Sequence, residues 1–203
     1  MNTTERRIHA AALRLFAARG SKDVTMSDLA EEADVARGTL YRNARSIEQL
    51  FQQASAQLVA DLHDANARVM DDHRYLDPPL RLATAIRMIV RRAHENPAVG
   101  RFLVQFGLTE ESLREALIGP PMHDLEAGVT AGRYAVAPEM KLSFVSLLIG
   151  AVVSAMWMVL EGHQTWREAG TGTAVLVLCA LSVPREEASK LATAPLPTPP
   201  ENL

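Results

Sequence analysis

Apolar residues recur along this chain at the spacing of helix faces. Ile8, Ala11, Ala12, Leu15 and Phe16 fall at i, i+3, i+4, i+7 and i+8, and Gly20 supplies a stop. Thr25, with Asp28 three residues on, reads as an N-cap, and the short helix it opens has Leu29, Ala30 and Ala33 on its inner face. Asp34 and Val35 suit a tight turn, Asp tolerating the left-handed conformation better than most residues. A second short helix is expected from about Arg37 to Asn43. Ser46 and Gln49 form a capping box for a long helix with Leu50, Ala54, Leu58, Leu62, Ala65 and Val69 on one face. Pro78-Pro79 breaks the chain, a helix follows to about Glu95, and Asn96-Pro97 ends it. Shorter helices are expected over 98–107, 110–118 and 121–134, a long apolar one from about Pro138 to His163, and another over 172–183, entered through a loop at Gly170-Thr171-Gly172. No useful segment alternates with period two, so the expected class is all-α. The proline-rich end, residues 194–203, reads as a loose extension.

Residues Leu142 to Leu160 carry no charge over 19 positions, the length of a membrane span. Two stripes favour a different role. Leu142, Val145, Ile149, Val152, Met156 and Val159 make an apolar face, and Ser143, Ser146, Gly150 and Ser154 make a face of small residues. A helix apolar all round needs partners on more than one side. The flanks lack the basic cluster and paired aromatic belts of an anchored span. The expectation is a core helix whose small stripe joins a homodimer interface with the helix over 172–183, and no membrane partner. A membrane-anchored signalling protein is the alternative.

The 203 residues carry a net charge of −3, yet Ala36 to Arg45 holds three arginines and no acid. Two short helices joined by a tight turn form a helix-turn-helix pattern, whose second helix enters the major groove of DNA. Arg37, Arg42 and Arg45 can neutralise phosphate or bond guanine, Thr39 and Tyr41 can donate hydroxyls to phosphate, and Asn43 can reach adenine or phosphate. Gly38 leaves room for close backbone approach. Thr25 and Ser27, at the start of the preceding helix, complete the expected DNA surface. The single cysteine, Cys179, and the polar N-terminus suit a cytoplasmic protein. Phosphate-loop, zinc-protease and serine-hydrolase motifs are absent, so no catalytic residue, metal or cofactor is expected, and a helical enzyme is the weaker alternative.

Ala11, Leu15, Phe16, Gly20, Thr25, Leu29, Ala30, Ala33, Val35, Gly38-Thr39-Leu40-Tyr41 and Leu50-Phe51 together resemble the DNA-binding domain of the tetracycline-repressor-like (TetR) family of bacterial regulators. The resemblance implies a three-helix DNA-binding head over 1–47 and a helical ligand-binding and dimerisation body over 48–193. It implies a homodimer that binds a palindromic operator and is released by a small apolar or amphipathic effector. The long helix from Ser46 to about Asp72 would act as the lever between them. Phe102, Phe106, Met122 and Trp157 are the expected ligand contacts, with Arg91, Gln105 and His123 as polar neighbours. The chain departs from the family pattern at Asn43-Ala44, where an aromatic or histidine then Phe is usual, and at Ile47, where a phosphate-bonding Lys is usual. Arg45 is the nearest cation to that position.

Overall fold

The computed structural model describes residues 2–21, 23–71 and 77–197, and the regular structure among them is helical. Helix α1 (Thr3–Arg19), α2 (Met26–Glu32) and α3 (Arg37–Asn43) precede the long α4 (Ile47–Asp71). Then come α5 (Pro78–Glu95), α6 (Pro97–Phe106), α7 (Glu111–Thr130), α8 (Lys141–Leu160), α9 (Trp166–Ala180) and α10 (Arg185–Ala192). Asp72 and residues 198–203 lie outside the described residues, as do the side chains of Ala65 and Val69.

Local chemistry explains most of the boundaries. Asn2 with Glu5 and Thr25 with Asp28 form reciprocal capping boxes at α1 and α2. Gly20 leaves α1 at φ 77°, and Asp34 takes φ 50° in the turn before α3, the left-handed conformation its side chain tolerates. Ser46 accepts from the Gln49 N–H at 3.1 Å at the start of α4, while the Gln49 side chain reaches back to the Arg45 N–H at 2.8 Å.

Three expectations are corrected. Helix α7 runs unbroken through Pro120 and Pro121, where two helices were expected. The prolines each delete a backbone bond, but Leu113 and Leu125 on either side are both buried, so packing holds one axis through the defect. Helix α9 begins at Trp166 rather than near residue 172, because Thr165 and Glu168 make a capping box. Gly170 and Gly172 therefore lie inside it. A Cβ at residue 170 would stand 3.3 Å from Arg87 Cα, so that glycine lets α9 close onto α5. Helix α10 follows Pro184 and buries Ala188 and Ala192. The segment after it is not loose at its start, since the Ala194 carbonyl accepts from Arg87 at 2.5 Å.

Helix α5 is the hub of the body, packing on α6, α7, α8, α9 and α10. Helix α8 turns Val145, Ile149, Val152, Met156 and Val159 inward as expected; Leu142, assigned to the same face, instead points outward and is 67% exposed. Arg133 binds both carboxylate oxygens of Asp77 at 2.7 Å and also reaches Glu187, tying the start of α5 to α10.

Head meets body through four of the chain's five phenylalanines. Phe51 on α4 stands edge-on to Phe16 of α1 at 5.3 Å and to Phe106 of α6 at 5.0 Å, and lies 5.5 Å from Phe102. Aromatic pairs in this range add to the stabilisation from burial itself. Phe51→Ala is therefore expected to destabilise the fold by about 3–5 kcal/mol in urea unfolding, the usual range for a buried Phe. A loss under about 1 kcal/mol would mean this joint does not hold the two parts together.

Candidate nucleic-acid interface

Helix α3 is held from below by Leu40, which is fully buried, and by Ala44 at its end. Its outer surface carries Arg37, Gly38, Tyr41 and Arg42, all exposed, with Thr39 half-buried beneath them. An added Cβ at Gly38 meets nothing within 4 Å, so the backbone there is open on the outside. The Arg42 guanidinium donates to Thr39 Oγ1 at 3.1 Å, which orients it over its own helix.

The charge of this surface is set by pairing elsewhere. Arg7 bonds the carbonyl and carboxylate of Asp34 at 2.6 Å each, Arg14 bonds Glu32 at 2.7 Å, and Arg19 stands 3.9 Å from Asp28. Such exposed pairs are worth roughly 0–1 kcal/mol each. Their consequence is placement: Asp28 and Glu32 of α2 and Asp34 of the turn are paired with α1, and the arginines of α3 face outward with no acid on their own helix. A phosphate backbone would meet a surface with uncompensated positive charge.

The expected DNA-facing residues divide by what already occupies them. Arg37, Tyr41 and Arg42 share the open face of α3, Ser27 is exposed on α2, and Arg45 is exposed beyond α3. Thr25 has a different job. Its hydroxyl donates to Asp28 at 2.6 Å and accepts from the Asp28 N–H at 3.2 Å, so it holds α2 in place. The hydroxyl and the Thr25 N–H, which donates to the same carboxylate at 2.9 Å, keep the Asp28 carboxyl below the usual carboxylate range. The cap is thus complete above that range and is lost as the pH falls through the lowered value. Asn43, expected to reach a base or phosphate, donates to the Thr39 carbonyl at 2.8 Å and lines a cleft of about 410 Å³ with Glu5, His9, Gln53, Ala56 and Gln57. Gln53 donates to the Asn43 carbonyl at 3.3 Å. Gln49 and Gln53 thus anchor the end of α3 to α4, a role the sequence signalled only as polar residues one turn apart. Ile47, at the position of the missing Lys, packs half-buried against the core.

The expected ligand contacts do not form one wall. Phe102 and Phe106 are spent on the joint with Phe51, because α6 turns this face to the head. Met122 is half-buried on α7. Trp157 is 45% exposed, and its aromatic neighbour is His163 at 5.4 Å. The small residues of α8, Ser143, Ser146, Gly150 and Ser154, are all exposed, as are Leu142, Leu147 and, on α9, Leu176.

Residues 8–54 match the family model described as bacterial regulatory proteins, tetR family, and residues 77–194 match the one described as tetracyclin repressor-like, C-terminal domain. The chain is similar to RolR without ligand, with 26% identity over 95% of this chain and 98% of that one, at a TM-score of 0.69. RolR in complex with resorcinol gives 26% identity over 96% and 95%, with a TM-score of 0.71. A tetR family transcription regulator from Shewanella sp. PV-4 shares the fold at a TM-score of 0.74, with 20% identity over 89% of this chain and 98% of that one. No curated protein sequence matches the chain.

Two substitutions separate reading from docking. Arg42→Ala should cost about 1–3 kcal/mol on a specific site and relax preference at one base pair. Arg45→Ala should weaken binding to all sequences and lower the slope of log K against log salt by roughly one. Both are measured by fluorescence anisotropy across a salt series. Unchanged affinity and base preference in Arg42→Ala would remove it as a reader.

Proposed function

This chain belongs to the tetR family of bacterial regulatory proteins, and from that premise we propose that it is a repressor acting as a two-fold dimer on a palindromic operator. It is a DNA-binding transcriptional regulator. The observation that carries the finer reading is the face of α3, where Arg37, Tyr41 and Arg42 stand exposed together while α1 pairs Asp28 and Glu32 of α2. Residues 1–47 act as the head and 48–193 as the body. A two-fold dimer places its α3 copies in successive major grooves, roughly 34–36 Å apart or somewhat more. The protein works in the cytoplasm and catalyses no reaction.

The second copy covers the outer faces of α8 and α9. Leu142 and Leu176 are 67% and 70% exposed, and the small residues between the apolar ones let backbones approach closely. An isologous contact is the commonest closed arrangement of a soluble homo-oligomer. Residues Pro138–Leu160 are long and apolar enough to cross a membrane, but one face of α8 packs on α5, α6, α7 and α9. That packing supports a helix shared between a core and a partner protein over one surrounded by lipid. Gly150→Arg puts a cation on an open position in the seam, so it should yield a monomer that binds operator DNA far more weakly. Sedimentation of the native chain as a stable monomer in dilute solution would remove this interface.

Release requires an effector in the body that favours another spacing of the heads. Helix α4 carries the change, because Phe51 couples it to α1 and α6 at once. The effector is a small apolar or amphipathic molecule, as in the resorcinol complex of RolR. Coupling of about 1–3 kcal/mol changes operator affinity roughly 5–150-fold, and operator must weaken effector binding by the same factor. Titration of an effector into free protein and into the operator complex checks this. Equal affinities would show that the molecule bound is not an inducer.

A further inference from the structure

The body buries a polar cluster that its own hydrogen bonds do not complete. Arg81, in the first turns of α5, lies 2.6 Å from an oxygen of Asp124 on α7, and both side chains are only 14% exposed. Tyr134, just beyond α7, is 5% exposed. Among the described residues, Arg81 Nε and the Tyr134 hydroxyl are buried without a hydrogen-bond partner, and Arg81 Nη2, though 2.6 Å from the Asp124 oxygen, meets it as an ion pair without hydrogen-bond geometry. Buried polar atoms are nearly always paired, and leaving them unpaired costs stability. The tyrosine cannot turn away to find water, because its ring lies on the α7 backbone at Gly128. A Cβ at that residue would stand 2.0 Å from the ring. The same helices bury Leu82, Ile86 and Leu125, all apolar, along with Thr84.

We propose that Arg81 and Tyr134 are the polar contacts of an effector site, and that the effector is a neutral molecule presenting a hydroxyl or carbonyl oxygen on an apolar frame. The assignment rests on the reading of the body as effector-binding. An acceptor is required because Arg81 Nε can only donate, and a hydroxyl or carbonyl oxygen supplies one that the tyrosine hydroxyl can also bond. Neutrality follows from the charges present. Asp124 already balances Arg81, and Asp77 and Glu187 outside them are held by Arg133. A carboxylate entering here would be an unpaired buried charge beside Asp124. Burial pushes the Asp124 carboxyl and the Tyr134 hydroxyl upward, in keeping with a site hostile to further negative charge.

The test follows thermal unfolding of the native chain and of Tyr134→Phe with phenol, cyclohexanone and benzoate as probes. Phenol or cyclohexanone should raise the native midpoint by roughly 2–4 °C once present at about five times its Kd, and benzoate should not. Tyr134→Phe deletes an unpaired hydroxyl at constant shape, so without probe it should melt no lower than the native chain, and it should lose the probe response. The proposal is overturned if Tyr134→Phe alone melts lower, if its response to the probes is unchanged, if benzoate stabilises as much as the neutral probes, or if no probe raises the native midpoint. Operator binding by the native chain is measured alongside. Its absence counts against the regulator reading, whereas its presence with no probe response sinks this site alone.

Discussion

Head and body are joined by three phenylalanine rings packed around Phe51. Its ring sits where α1, α4 and α6 converge, with Phe16 on the head side and Phe102 and Phe106 on the body side. A close-packed aromatic joint resists gradual deformation, so a shift of α6 cannot be absorbed there and must move α4 or α1. The same joint takes up one face of the two phenylalanines that the sequence offered as ligand contacts.

Beyond the joint, the head is organised by the disposition of charge more than by its total. The chain is slightly acidic, yet arginines of α1 engage Asp34, Glu32 and Asp28, and α3 presents its own arginines unopposed on its helix. Caps do comparable work at smaller scale. Thr25 spends its hydroxyl on Asp28 and fixes α2, and Gln49 and Gln53 hold the backbone at Arg45 and Asn43. Exposed basic residues and positioning residues therefore alternate along a few turns of chain, and residue type alone does not separate them.

In the body, α5 gathers five helices, and close approach of α9 depends on the missing side chain at Gly170. Helix α8 then has one face in this core and one in the open, where Leu142, Leu147 and Trp157 lie among serines and Gly150. The apolarity of 142–160 thus exceeds what the inward face of α8 alone uses.

What the sequence determined by itself is local. The period of Ile8 to Phe16, the cap at Thr25, the left-handed residue at Asp34 and the acid-free run from Ala36 to Arg45 specify the head, because each acts within one or two turns. Asn43 could be named as a polar residue near α3, but that its carbonyl was already bonded depended on Gln53 of α4 folding beside it. Tertiary structure alone decided the rest. It carried α7 through Pro120-Pro121, drew Gly170 into a helix, sent Phe102 and Phe106 to the joint with Phe51, and buried Arg81 and Tyr134 with polar atoms unpaired. Periodicity says that a side chain lies on an apolar face. It does not say which neighbour that face meets, because the energy that settles the choice comes from surfaces distant in the chain.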